Sequence, residues 1–239
     1  MLQGPTDPLL AYNLVGIAAR LAHAIGIHLW LDSVELSEDQ IDERRNVFWL
    51  LYMLDKGISL ETGRPPAIHD QDISTALPKE PDGIIFPSGR RKLNTFNFAA
   101  KLATIESRVY AELYSMRSRA KTFLQRLMSI YALDRELNEW RDSIPIEVRP
   151  DNQIVCDDLQ LLPIILLHYS YYSCLIAVHG GLINHGLWTS ECVKDANASS
   201  NIDLNQRIHE SEKTCVVAAC RALSLLDYYM GDRMPPLTW

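Results

Sequence analysis

The stretch Glu43 to Pro78, ERRNVFWLLYMLDKGISLETGRPPAIHDQDISTALP, organises the reading of the whole chain. At 3.6 residues per turn, Phe48, Leu51 and Ile58 fall on one helical stripe, and Val47, Leu50 and Leu54 widen it. Arg44 and Asp55 lie on the same stripe. A carboxylate in that position is costly unless it is paired and hydrogen-bonded. Asp55 is therefore expected to be buried and bound to an arginine, either Arg64 from the turn that follows or Arg20 from the helix before. Gly63 permits the turn and Pro65-Pro66 stiffens its exit. The arrangement reads as a structural clasp, a helix tied to a loop through a buried ion pair, with no catalytic constellation in it.

Outward from this stretch, periodicity is helical throughout. Asp7 and Pro8 make a helix start, and Leu10, Leu14, Ile17, Leu21, Ile25 and His28 recur at three- and four-residue steps. Ser37 with Gln40 forms a capping box that launches the central helix. Residues 61–86, rich in proline and acid, read as an irregular loop, and Pro87-Ser88-Gly89 as a break. Phe98, Leu102, Ile105, Val109, Leu113 and Met116 trace a third helix. Leu124, Leu127, Tyr131, Leu137 and Trp140 trace a fourth, ended by Pro145. Residues 159–188 carry no Asp, Glu, Lys or Arg, which raises the question of a membrane span. Pro163, three histidines, three tyrosines and the acidic flank Asp157-Asp158 favour instead a buried helix, bent near Pro163 and stopped by Gly180-Gly181. A polar stretch, Thr189 to Asp203, reads as a loop, and a last helix runs from about Leu204 towards Met230. The fold expected is all-α, a single helical domain of about six longer helices joined by irregular loops.

Composition narrows the function. The chain has 239 residues, 47% hydrophobic and 22% charged, as a globular domain does, and a formal charge of −7. A domain that held DNA by itself would present net basic surface to phosphate. The clusters at Arg44-Arg45, Arg90-Arg91-Lys92 and Arg117 to Lys121 are surrounded by acids and lack interleaved aromatics. Five cysteines, odd in number and widely spaced, point to free thiols in a reducing compartment.

The ordered set Glu43-Arg44-Arg45, Phe48-Trp49, Leu54-Asp55, Ser59, Gly63-Arg64-Pro65, Asp70, Asp72 and Pro78 resembles the signature of the fungal-specific transcription factor domain. That is the middle homology, or regulatory, region of fungal zinc-cluster transcription factors. The run Ala11, Leu14, Gly16, Ala18, Arg20, Leu21 and Ala22, then Ile25-Gly26-Ile27-His28, is similar to that family too. Later matches are thinner but in order: Leu137, Trp140 and Ile144-Pro145; Tyr169, Tyr172 and His179; Cys215 with Ala218-Ala219.

The resemblance implies a non-catalytic regulatory domain over residues 1–239, nuclear, placed carboxy-terminal to a zinc-cluster DNA-binding head. Leu237-Thr238-Trp239 ends on apolar residues, which fits a piece of a longer chain. The six clustered cysteines of such a head are not in this sequence. Zinc is expected only in that head, no cofactor in this chain, and no direct DNA contact from it. Partners implied are proteins of the transcription machinery, self-association, or a small-molecule inducer.

A rival reading puts a sensor pocket inside the helices, lined by His168, Tyr169, Tyr172, His179 and Trp188, against a plain close-packed core. A helical enzyme is a further alternative. It finds little support: there is no G-x-S-x-G, no phosphate-cradling glycine loop, and His168, Cys174 and His179 are spaced six and five apart, on different faces.

Overall fold

Asp7 accepts a hydrogen bond from the Leu9 amide and Pro8 follows it, so the first helix, α1 (Pro8–Ala24), begins where the sequence supplies a cap. It ends at Ala24, short of His28, because Gly26 takes φ +68° and leaves the helical path. The structure, a computed structural model, describes residues 7–30, 36–79, 93–183 and 204–230. The expected loop over Thr189 to Asp203, the break at Pro87-Ser88-Gly89, Trp188 and Cys192 lie outside them. The helices that follow are α2 (Glu38–Thr62), α3 (Thr95–Val109), α4 (Phe123–Asp142), α5 (Asp158–Ile183), α6 (Leu204–Ser224) and the short α7 (Leu226–Met230). Among the described residues there is no strand, and the fold is all-α, with six helices of seven residues or more.

The Ser37–Gln40 capping box is formed, each side chain bonding the other's amide. A second box, Thr122 with Gln125, opens α4. At the other end of α2, Gly63 takes φ +66°, the left-handed turn its lack of a Cβ allows.

The chain divides into two compact units, residues up to 84 with 94–107, and the remainder. In the first, α1 and α2 lie antiparallel. The Arg44 guanidinium at the head of α2 donates to the Ile25 carbonyl beyond the end of α1, and Tyr12 Oη donates to the Pro65 carbonyl. The core is Ala19, Ala22, Ile27, Phe48, Trp49, Tyr52, Ile68, Ala100 and Ala103, with Leu51 and Phe96 half-buried against it.

The expected stripe of α1 is turned round, and that of α2 is split: Phe48 and Asp55 are buried and Leu51 and Ile58 half-buried, but the residues that widen it are not. Leu10, Leu14, Ile17 and Leu21 of α1, and Ile25 just past its end, face outward, and the small residues Ala19 and Ala22 face in. On α2, Val47, Leu50 and Leu54 are exposed, and the buried face is Arg45, Phe48, Trp49, Tyr52, Asp55, Lys56 and Ser59. Small side chains let the helix backbones approach closely. The aromatic and polar side of α2 is the one covered by the loop.

In the second unit, α3 gives way to a π-helical turn over Tyr110–Tyr114, closed by the Ser115 amide on the Tyr110 carbonyl. α5 packs chiefly on α6 and α4, with Trp140 stacked on Tyr171 at 5.8 Å. Leu161, Ile164, Leu167, His168, Tyr171, Cys174 and Val178 are buried, while Leu159, Leu166 and Tyr169 are exposed. Within α5, Asp158–Gly181 is long and apolar enough to cross a bilayer by length and composition, and half of its most apolar window is buried in the protein. Gly180-Gly181 does not stop α5. A Cβ on Gly181 would come within 3.2 Å of Leu113, so the glycine serves close packing against that side chain. Among the described residues, Cys156, Cys174, Cys215 and Cys220 form no disulfide.

One buried acid is poised to make the first unit pH-sensitive. Burial, and then the Glu61 carboxylate, push Glu106 from an ordinary 4.5 up to about 8. Its folded pKa lies above its unfolded one, so the contribution is favourable while the group stays protonated in the fold. Stability is lost as pH rises between about 4.5 and 8. Thermal unfolding of the Glu106→Gln variant is expected to show that decline flattened and a higher Tm at the alkaline end. Parallel Tm–pH curves for the two proteins would contradict it.

Candidate functional site

The first candidate site centres on Asp55. It is buried, 2% exposed, on the inner face of α2. Its Oδ1 accepts the Ala67 amide at 2.8 Å and its Oδ2 the Ile68 amide at 3.0 Å. The charge beside it is Lys56, also buried, with Nζ 3.7 Å from Asp55 Oδ2 and 3.2 Å from Asp70 Oδ1, and donating to the Ile68 carbonyl. The expected arginine partner is therefore corrected. Arg64 is exposed and stacks its guanidinium over the Tyr12 ring at 5.6 Å, and Arg20 is exposed on α1. The loop reaches Asp55 through its backbone, which presents two amides side by side.

Asp70 extends the network. It accepts Tyr52 Oη at 2.9 Å and Ser107 Oγ at 2.7 Å, so α2, the loop and α3 meet on one carboxylate. Burial, and then the Asp70 carboxylate, push the Tyr52 phenol up, which keeps it a donor. Farther along the loop, Trp49 Nε1 donates to the Ala76 carbonyl at 2.7 Å and Asn97 to the Pro78 carbonyl at 2.7 Å. Of the other signature residues, Phe48 is fully buried and Arg45 pairs with Asp42 at 2.7 Å. Pro65 supplies the carbonyl for Tyr12, while Glu43 and Asp72 are exposed. This constellation holds a loop. It brings no nucleophile to a base.

The second candidate lies in the other unit. A cavity of about 250 Å³ is walled by His168 and Tyr172 of α5, residues 151–154 of the preceding connection, and Arg221, Ser224, Leu225 and Tyr228. The Tyr172 and Tyr228 hydroxyls and His168 Nε2 each have a protein partner. His168 Nε2 bonds the Val148 carbonyl at 2.8 Å, which makes it the protonated nitrogen, and burial pushes the imidazole pKa down. Tyr172 Oη accepts the Asp151 amide at 3.0 Å and donates to Asp151 Oδ1 at 3.1 Å. Tyr228 Oη accepts the Ile154 amide. Asp151 sits at φ +75°, a left-handed backbone that aspartate tolerates better than most residues.

Two of the five expected pocket residues thus line one cavity. Tyr169 is exposed and does not line it, and Trp188 lies outside the described residues. His179 bridges Asp134 of α4, at 3.2 Å, and Ser211 of α6, at 3.1 Å, as a strut between helices. A larger, shallow groove of about 520 Å³ runs past His23 and His28, but the unpartnered nitrogens there, His23 Nε2 and His28 Nδ1, lie beneath its surface. Among the described residues no group of three His, Cys, Asp or Glu is placed to hold a metal ion.

The sequence profile of the fungal-specific transcription factor domain matches residues 1–142. The chain belongs to that family. Its relatives are fungal transcriptional regulators. An ABC-transporter-regulating transcription factor of Aspergillus oryzae is 40% identical over 234 residues, 95% of this chain and 26% of the relative. Another of that description, from Aspergillus fumigatus, is 38% identical over 97% of this chain and 27% of the relative. An uncharacterized transcriptional regulatory protein of Schizosaccharomyces pombe is 29% identical over 96% of this chain and 30% of the relative. The chain thus spans about a quarter of the length of these two Aspergillus relatives. No solved structure matches.

The matched residues include the whole clasp around Asp55. Asp55→Ala strands two buried amides and the Lys56 ammonium and should cost roughly 3–5 kcal/mol of stability. Arg64→Ala, which removes an exposed stacking contact, should cost less than about 1 kcal/mol. Urea titrations of both variants check the pair, and equal losses would contradict the assignment of Lys56 and the amides as Asp55's partners.

Proposed function

We propose that this chain is the non-catalytic regulatory segment of a nuclear fungal transcription factor, modulating activation by binding a protein partner or an inducer. The observation that carries the reading is the match of residues 1–142 to the fungal-specific transcription factor domain, with relatives named as transcriptional regulators that align over nearly the whole of this chain. Sequence-specific DNA contact and zinc belong, on this reading, to a separate head. The formal charge of −7 agrees with that division. The mechanism is a shift between conformations, in which a ligand favours one state by the difference in its affinity for the two.

A small-molecule sensor is the second reading, favoured by the cavity against His168 and Tyr172. At about 250 Å³ it is below the roughly 300–1,000 Å³ of drug-sized pockets, so its occupant would be small. Arg221 at its rim, 3.8 Å from Asp151, and the apolar walls of Ile154 and Leu225 suit an amphipathic molecule with one polar end.

The test places the chain between a heterologous DNA-binding head and an activation region in a fungal reporter. Output should change relative to the same fusion without the chain; identical output would overturn the regulatory reading. In the sensor case, Ser224→Trp at the exposed rim should abolish inducer dependence and leave Tm unchanged. In gel shifts at physiological salt, the isolated chain is expected to bind duplex DNA weakly and without sequence preference, and tight selective binding would contradict the division of labour.

A further inference from the structure

We propose that Thr122 is a phosphorylation site for a protein kinase that reads arginines three and five residues before its acceptor. The turn that leads into α4 is Arg117-Ser118-Arg119-Ala120-Lys121-Thr122, with Phe123 after it. In the whole sequence Thr122 is the one serine or threonine with arginine at both of those places. Carboxylates lining the cleft of such a kinase pair with the two guanidiniums, and their fixed distance from the hydroxyl sets which residue is modified. Ser129 and Ser224 carry the nearer arginine alone, Arg126 and Arg221. Both serines lie inside helices, with their hydroxyls bonded to Glu112 and to the Cys220 carbonyl.

The fold leaves this motif open. Arg117, Arg119 and Thr122 are exposed. Lys121 and Thr122 are already extended, at φ −69°, ψ 141° and φ −66°, ψ 162°, the backbone form a kinase cleft grips. Upstream, Arg117–Ala120 is one 3-10 turn, held by the amides of Ser118, Arg119 and Lys121 on the carbonyls of Ser115, Met116 and Ser118. So short a turn opens locally while the helices on either side stay folded. The Thr122 hydroxyl accepts the Gln125 amide at 3.3 Å, a long bond that leaves its proton free for transfer. In the transfer, Thr122 Oγ bonds to the γ-phosphorus of ATP as that atom's bond to the bridging oxygen breaks. ADP leaves with the electron pair, and the hydroxyl proton passes to the kinase's carboxylate base. The phosphate brings a charge of about −1.5 to −2 into the turn that holds Arg117, Arg119 and Lys121. Most of the turn's positive charge is thereby offset.

The inference stands on the exposed motif and not on the regulatory reading, so either can fail alone. The folded 239-residue chain is incubated with ATP and the catalytic domain of a kinase that has this arginine requirement, and modified residues are mapped by mass spectrometry. One phosphate is expected, on Thr122. Thr122→Asn keeps a capping side chain without a hydroxyl, and should lose the phosphate with Tm unchanged. Arg119→Gln removes one exposed guanidinium and should slow transfer by at least about tenfold. Phosphate found only on other residues, or transfer at the same rate in Arg119→Gln, would overturn the proposal. So would a synthetic peptide of residues 113–126 that is modified while the folded chain is not, because the fold would then close the site.

Discussion

A buried carboxylate that accepts two consecutive backbone amides is the constraint on which the first unit depends. Asp55 fixes Ala67 and Ile68. Ile68 then fills the core fully buried, and Lys56 is drawn in between Asp55 and Asp70. A lone carboxylate in such a place would be prohibitive to desolvate. Here the charge is met by an ammonium and both oxygens are bonded, which makes the burial tolerable and the geometry specific. Removing Asp55 strands the Ala67 and Ile68 amides together.

This explains why α2 is oriented against its hydropathy. Its most aliphatic side, Val47, Leu50 and Leu54, is left in water, and a side carrying Arg45, Asp55, Lys56 and Ser59 is buried. Hydrophobic burial alone would favour the reverse. The decisive difference is that Trp49 and Tyr52 bury large rings and still satisfy their polar tips, on the Ala76 carbonyl and on Asp70, and they can do so only under the loop. The aliphatic side becomes surplus, and α1 shows the same division with Ala19 and Ala22 inside and its leucines outside. An apolar face displaced from the core is then available to another surface.

Helix positions and starts were legible in the sequence, because caps and prolines act locally: Asp7-Pro8, Ser37 with Gln40, and Gly63 all work where they were read. The burial of Asp55 was legible from its place among apolar residues. Its partner was not, because backbone amides carry no sequence signature and Lys56, adjacent in sequence, lies on the other flank of the buried face. The periodic set Arg45, Trp49, Tyr52, Lys56 and Ser59 at steps of four, three, four and three was the signal for the true inner face, passed over because it is not uniformly apolar. Similarly, His168 and Tyr172, four apart, share a face and a cavity. His179, eleven residues from His168, comes back to the same side of α5 and not to the different face expected of it, but is taken up by Asp134 and Ser211, contacts set by which helices meet.

Amide hydrogen exchange at Ala67 and Ile68 tests the central claim most directly. These amides sit in a loop without regular structure, and their protection depends on Asp55. The account predicts that both exchange as slowly as the core of α2, through opening of the whole unit, and that Asp55→Asn accelerates both while α2 keeps a helical spectrum. Fast exchange at both positions in the native chain, at the rate of the exposed loop residues around them, would contradict it.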